Sequence, residues 1–206
     1  MVDTSPRPNR SHLDLASALL DGGSRVLQLR MKEAPANEQA ELLSALLPLC
    51  QSRRAELVVN DSIALAARFA GVGVHLGQDD ADPREARQVL GPQVLIGHST
   101  HSPSQAKAAE DLGVDYIGFG PIFSSGSKHL AEGDRRSPDL PVGLATLKQV
   151  VGDATVSVVA IGGIDMDNLP LVLATGVPAV AVISAVVTAD NMLESARSFH
   201  RSIQGN

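Results

Sequence analysis

The segment Val26-Leu27-Gln28-Leu29-Arg30-Met31-Lys32 places Gln28, Arg30 and Lys32 at every second position. Side chains two apart on a β-strand share a face, so the carboxamide and both cations project together from the strand end. Two cations on one face repel, and burying them is costly unless an anion meets them. The chain is acidic overall, with 17 Lys and Arg against 23 Asp and Glu and a net charge of −6, so this cluster does not follow from bulk composition. A phosphate or diphosphate clamp is the chemistry it fits best, with a rim salt bridge as the plainer alternative.

Further polar groups fall where other strands should end. Asn60 and Asp61 precede a helix, and capping alone would account for them. Asp79 and Asp80 are different, because Asp82 already holds the capping position of the next helix. Hard cations require oxygen ligands, so Asp61 and Asp80, coming from neighbouring strand ends, could share one Mg2+ with a diphosphate completing its shell. Ser124-Ser125-Gly126-Ser127-Lys128 is either a flexible loop or a cradle of hydroxyl and backbone N–H groups with a third cation. Gly162-Gly163 and Ile183-Ser184 follow the last two strands, where backbone N–H groups can hold a phosphate; as turn residues they would need no ligand. His75 reads as packed or hydrogen-bonded within a strand, His12, His129 and His200 as surface residues, and His98 and His101 as flanking the site.

The elements that must position these groups alternate along the chain. Short β-branched runs at 26–30, 57–60, 73–76, 94–97, 116–120, 156–161 and 179–183 read as strands. Helical patterns cover 11–20, 37–53, 62–69, 83–90, 103–112, 144–151, 167–174 and 190–203. Two helix starts are explicit: Asp82-Pro83 with Glu85, and Ser102-Pro103 with Gln105. With one more strand before Ser11, strict alternation gives eight strand–helix units. That favours an α/β fold, a (β/α)8 TIM barrel over residues 1–206 as one domain. Its first strand would be short or truncated, since only Met1-Val2-Asp3 is available. An open doubly wound sheet is the alternative, but no G-x-G-x-x-G follows a strand.

Composition narrows the function classes. Hydrophobic residues make up 44% of 206, aromatics only 2%, and Trp is absent, so Ala, Val, Leu and Ile must fill the core, as in parallel strands covered by helices. The acidic balance argues against nucleic acid as a partner. No apolar run approaches the ~20 residues of a membrane span, and no signal-peptide core is evident at the N-terminus. The single cysteine, Cys50, excludes an internal disulfide and reads as a core residue, so a cytoplasmic location is expected.

Eight segments then match one family in order: Gln28-x-Arg30-x-Lys32, Asn60-Asp61, the run Gly73 to Asp80, Ile96-Gly-His-Ser99, the run Asp115 to Phe123, Ser125-x-Ser127-Lys128, Ala160-Ile-Gly-Gly-Ile164 and Val182-Ile-Ser-Ala185. From about Leu13 to the last helix the chain resembles the thiamine-phosphate synthase family. The resemblance implies coupling of a pyrimidine diphosphate to a thiazole phosphate, with Mg2+ as cofactor and phosphorylated small molecules as partners; it leaves a homo-oligomer open. It implies that Gln28, Arg30, Lys32, Asn60, Ser99 and Lys128 hold the pyrimidine diphosphate, with Arg30, Lys32, Lys128 and Ser99 serving the reaction. Asp61 and Asp80 would bind the metal. Ser125, Gly126, Ser127, Gly163, Ile183 and Ser184 would hold the thiazole phosphate.

Three departures stand out. Met31 replaces an acidic residue, Ser125 and Ser127 replace threonines, and the segment 129–142 looks longer than usual. A sister family, the thiazole tautomerases, tends to lose the diphosphate and metal residues and to use a histidine where this chain has Pro121. A ligand-binding homologue without turnover is the non-enzymatic alternative.

Overall fold

Strands of alternating destination build one parallel sheet, in the computed structural model of the protein. It describes residues 2–3, 11–32, 34–124 and 140–205. The strands are β1 (Val2–Asp3), β2 (Val26–Arg30), β3 (Glu56–Asn60), β4 (Gly73–Leu76), β5 (Ile96–Thr100), β6 (Tyr116–Phe119), β7 (Ser157–Ile161) and β8 (Ala179–Ala181). Each pairs in parallel with the next, in the order β1 to β8. Helices α1 (His12–Asp21), α2 (Ala36–Ser52), α3 (Ile63–Ala66), α4 (Pro83–Leu90), α5 (Pro103–Asp111), α6 (Gly143–Asp153) and α7 (Leu169–Leu173) connect successive strands. After β8 come α8 (Ser184–Val187) and α9 (Met192–Gln204). The result is a TIM-like α/β fold.

Strand period two separates the faces. Leu27, Leu29, Leu57, Val59, Val74, Leu76, Ile96, Ile117, Phe119, Val158 and Ala160 join one apolar core with helix residues such as Leu43, Leu46 and the buried Cys50. The intervening positions carry Gln28, Arg30, Asn60, His75, Ser99 and Tyr116. Register aligns part of this second face into a row: Asn60 opposes His75, His75 opposes Gly97, Gly97 opposes Tyr116, and Tyr116 opposes Ser157.

Helix starts follow the local sequence. Asp82 accepts from the Arg84 N–H at 2.8 Å, and Ser102 accepts from the Gln105 N–H at 3.2 Å. Gln105 in turn accepts from the His101 N–H at 2.7 Å, one residue before the cap.

Several boundaries differ from the sequence expectation. The strand expected at 94–97 begins instead at Ile96, because Arg87 takes the Val94 carbonyl at 2.7 Å while Asp115 Oδ2 takes the Ile96 N–H at 2.7 Å. Arg87 also pairs with Asp115 at 2.7 Å, so a motif residue turns out to tie α4 to the starts of β5 and β6. The helices expected at 62–69 and 167–174 are reduced to α3 and α7, each about one turn. Helix α8 was not expected at all. The segment 129–142 lies outside the described residues except for its last three.

Glu110 fastens α5 to the loop entering β7. It accepts from Thr155 N–H at 2.5 Å and from Lys107 Nζ at 2.8 Å, with its side chain only 6% exposed. The Lys107 bond first and the Thr155 N–H second pull its pKa from the ordinary 4.5 down to about 2. A carboxylate with a depressed folded pKa adds stability above its unfolded pKa and loses it as pH falls through the folded one. Glu110→Gln should therefore cost about 1–2 kcal/mol near neutrality, and the deficit should shrink as pH falls from 4.5 towards 2. Denaturant titrations of both proteins across that range check it; a constant deficit would exclude the charge as its origin.

Candidate active site

Three neighbouring strand ends bring opposite charges together. Arg30 ends β2, with Lys32 exposed two residues on; Asp61 follows β3; Asp80 lies in the turn after β4. The Asp61 and Asp80 carboxyls lie close enough to act on each other, and Lys32 and Arg30 are close enough to act on Asp61 through their charge. Burial first, then the Asp80 carboxyl, push the Asp61 pKa up to about 6 against the pull of Lys32 and Arg30. Two carboxyls sharing a site oppose each other's ionisation unless a cation joins them.

The local backbone serves this arrangement. Asp61 has φ +66°, the left-handed region that Asp enters more readily than most residues. Its N–H donates to the His75 carbonyl at 2.9 Å, which ties the β3 exit to β4. Asp80 Oδ2 accepts from the Gly77 N–H at 2.6 Å, so the turn after β4 closes on its own carboxylate. Ser62 caps α3 through the Leu65 N–H at 3.1 Å, which leaves Asp61 without a capping role.

Gln28 lies one row deeper on the same face of β2. Its Oε1 is buried with no partner among the described residues, an acceptor that an amino donor would satisfy. Ser99, near the end of β5, is held twice. Gln78 Nε2 donates to its carbonyl at 2.5 Å, and His75 Nε2 lies 2.9 Å from its Oγ. Gln78 Nε2 also lies 2.9 Å from His98 Nε2. Burial pushes the His75 pKa down to about 4 and lowers that of His98, so His75 is a neutral imidazole near pH 7.

Gly162 and Gly163 follow β7 with φ +99° and +66°. A Cβ at Gly162 would lie 2.5 Å from the Pro121 Cβ, and one at Gly163 would lie 2.8 Å from the Phe123 Cβ. Close packing against the exit of β6 thus demands glycine at both positions, whatever else they do. Ile183 and Ser184 follow β8, with Ser184 opening α8. Ser125, Gly126, Ser127 and Lys128 lie outside the described residues.

The structure therefore gathers Arg30, Lys32, Asp61 and Asp80 at adjacent strand ends, with Asn60 and Ser99 on the same face. Sequence reasoning missed Gln78 and Tyr116. Tyr116 lies one position beyond Asp115 in the run Asp115 to Phe123, and its signal is a polar ring on a strand whose other residues are Ile117, Gly118 and Phe119.

Polar groups at the strand ends of a parallel, helix-covered sheet place the protein in the TIM-like class, whose functional groups gather at that end of the strands. Within that class, the model of the family described as thiamine monophosphate synthase matches residues 1–186, and the chain belongs to that family. It is 36% identical to a thiamine-phosphate synthase of Pelotomaculum thermopropionicum, over 94% of this chain and 86% of that protein. It is 40% identical to one of Chlorobium luteolum, over 95% and 86%. A solved thiamine phosphate pyrophosphorylase of Pyrococcus furiosus superposes with a TM-score of 0.84 at 31% identity, covering 95% of this chain and 91% of that one.

Asp61→Asn keeps a residue that tolerates the left-handed backbone and can donate to Asp80, while removing the opposed charge. In metal-free protein above pH 6 it should raise stability by about 1–2 kcal/mol, roughly 2–8 °C in Tm. Thermal unfolding without divalent metal measures this; an unchanged or lower Tm would mean the carboxyl pair carries no strain.

Proposed function

We infer that the chain is a thiamine-phosphate synthase, joining a 4-amino-5-hydroxymethyl-2-methylpyrimidine diphosphate to a hydroxyethylthiazole phosphate and releasing diphosphate. The observation that carries this reading is the convergence of Arg30, Lys32, Asp61 and Asp80 at neighbouring strand ends in a member of this family. In the fullest form of the reading the strands close into a (β/α)8 barrel, with the site at its C-terminal mouth.

Asp61 and Asp80 are the residues that would hold Mg2+. Their neighbouring carboxyls would supply the oxygen donors that a hard cation takes, and the Asp61 pKa, raised by burial first and by the Asp80 carboxyl second, marks a charge that such an ion would stabilise. When bound, the ion would neutralise negative charge on the leaving diphosphate.

The chain's own residues do the rest. Arg30, Lys32 and Lys128 would supply positive charge to the diphosphate, and Asn60 and Ser99 would donate hydrogen bonds to it. Gln28 Oε1, buried and without a partner among the described residues, would accept a hydrogen bond from the amino group of the pyrimidine. In the reaction, the bond between the pyrimidine methylene carbon and the diphosphate oxygen breaks, and its electron pair leaves with diphosphate. The thiazole nitrogen then gives its lone pair to the resonance-stabilised methylene cation. No proton needs to be moved, so a site without a nucleophile–base pair suffices. Gly163, Ile183, Ser184 and the loop Ser125-Gly126-Ser127 would hold the thiazole phosphate and so keep the two reacting atoms in register.

Purified protein supplied with both substrates and Mg2+ should form thiamine phosphate, detected by chromatography, and a chelator should abolish it. Absence of product from folded protein with intact substrates would overturn the reading. Separately, Ser184→Ala should raise KM for the thiazole phosphate about tenfold with little change for the pyrimidine diphosphate. An unaltered KM would place the phosphate elsewhere.

A further inference from the structure

Tyr116, His75 and Ser99 form a continuous hydrogen-bonded line across β6, β4 and β5 that the role of Ser99 as a diphosphate ligand does not by itself explain. Tyr116 Oη lies 2.9 Å from His75 Nδ1, and His75 Nε2 lies 2.9 Å from Ser99 Oγ. The intervening strand makes room for it. A Cβ at Gly97 would lie 2.1 Å from Tyr116 Cζ and 2.5 Å from His75 Nδ1, and one at Gly118 would lie 3.2 Å from His75 Cε1. The tyrosine and imidazole rings stack with centroids 5.4 Å apart.

A neutral imidazole between two hydroxyls carries one proton, so it donates on one side and accepts on the other. With the proton on Nδ1, Tyr116 would accept it, and the phenol proton would have no acceptor among the described residues. Ser99 would then donate to Nε2 and have no proton for a substrate. With the proton on Nε2, Tyr116 donates to Nδ1, Nε2–H donates to Ser99 Oγ, and the Ser99 proton stays available. This second polarity satisfies the phenol and makes the serine a donor.

We propose that Tyr116 and His75 are positioning residues that fix the Ser99 hydroxyl as a hydrogen-bond donor to the diphosphate of the first substrate. The inference rests on the synthase reading. Its chemistry is one of orientation: an outer hydrogen bond sets the tautomer of the histidine, and the tautomer sets the direction of the serine.

Nitrogen-15 NMR of the histidine-labelled full chain, with the His75 signal assigned by His75→Gln, reads the tautomer without any assay of turnover. It should show Nε2–H in the wild type and in Ser99→Ala, and a mixture in Tyr116→Phe. In kinetics, Ser99→Ala and Tyr116→Phe should each lower kcat/KM for the pyrimidine diphosphate, the latter by roughly tenfold. The KM for thiazole phosphate should not move, and Tyr116→Phe should cost nothing further once Ser99 is Ala. An Nδ1-protonated ring in the wild type overturns the proposal even if Tyr116→Phe fails to fold. So do multiplicative losses in the double variant, or a costly Ser99→Ala beside a neutral Tyr116→Phe. A neutral Ser99→Ala removes the Ser99 assignment itself and the proposal with it, while product formation in the coupling assay would leave the synthase reading standing.

Discussion

Parallel strands in register give each side chain one of two destinations, and nearly everything in this protein depends on that constraint. Leu27, Leu29, Val74, Leu76, Ile117 and Phe119 go to the helix-covered core. The residues between them are compelled to the other face, where the aligned row from Asn60 through His75, Gly97 and Tyr116 to Ser157 runs across five strands. Moving any of these strands by one residue would exchange the two sets. The core thus specifies the site: burying the aliphatic residues leaves the polar ones no alternative position.

What the sequence made legible follows the range of the physics involved. The shared face of Gln28 and Arg30 on β2 needs only the period of one strand, and the starts of α4 and α5 need only a cap and a proline. Both are local, and both stand in the structure. The start of β5 depends on Arg87 and Asp115, 28 residues apart, capturing the backbone around Val94 and Ile96. Nothing within the run 94–97 reports that capture. Helices α3 and α7 lie in stretches whose apolar pattern continues past the point where the chain turns, so periodicity overstated them. The Tyr116–His75–Ser99 line was hidden for the same reason: it requires the mutual register of three strands, and each residue alone looks ordinary.

The glycines illustrate how a motif can serve packing and chemistry together. Gly162 and Gly163 suggested an anion cradle, and both are needed against Pro121 and Phe123 in any case. The packing requirement does not oppose a phosphate site. A chain bent into positive φ with no side chain leaves its N–H groups approachable, which is what a phosphate oxygen needs. Gly97 works differently: it lies where a side chain would strike both rings, so its emptiness is filled from the neighbouring strands.

The electrostatics of the carboxyl pair and of the buried histidine differ in kind, and the difference suits ionisation better than proton transfer. Where β2, β3 and β4 end, Asp61 and Asp80 lie beside Arg30 and Lys32, and burial first and the Asp80 carboxyl second make charge on Asp61 costly. Beside this pair, on β4, His75 is held neutral by burial and has both ring nitrogens engaged, so it has no free nitrogen with which to accept or deliver a substrate proton. A reaction that depended on proton abstraction would need the reverse, a base poised near neutral pH and open to the substrate. Loss of diphosphate asks instead for fixed donors and cations arranged before the bond breaks. An imidazole used to orient a hydroxyl, rather than to take its proton, is consistent with that demand.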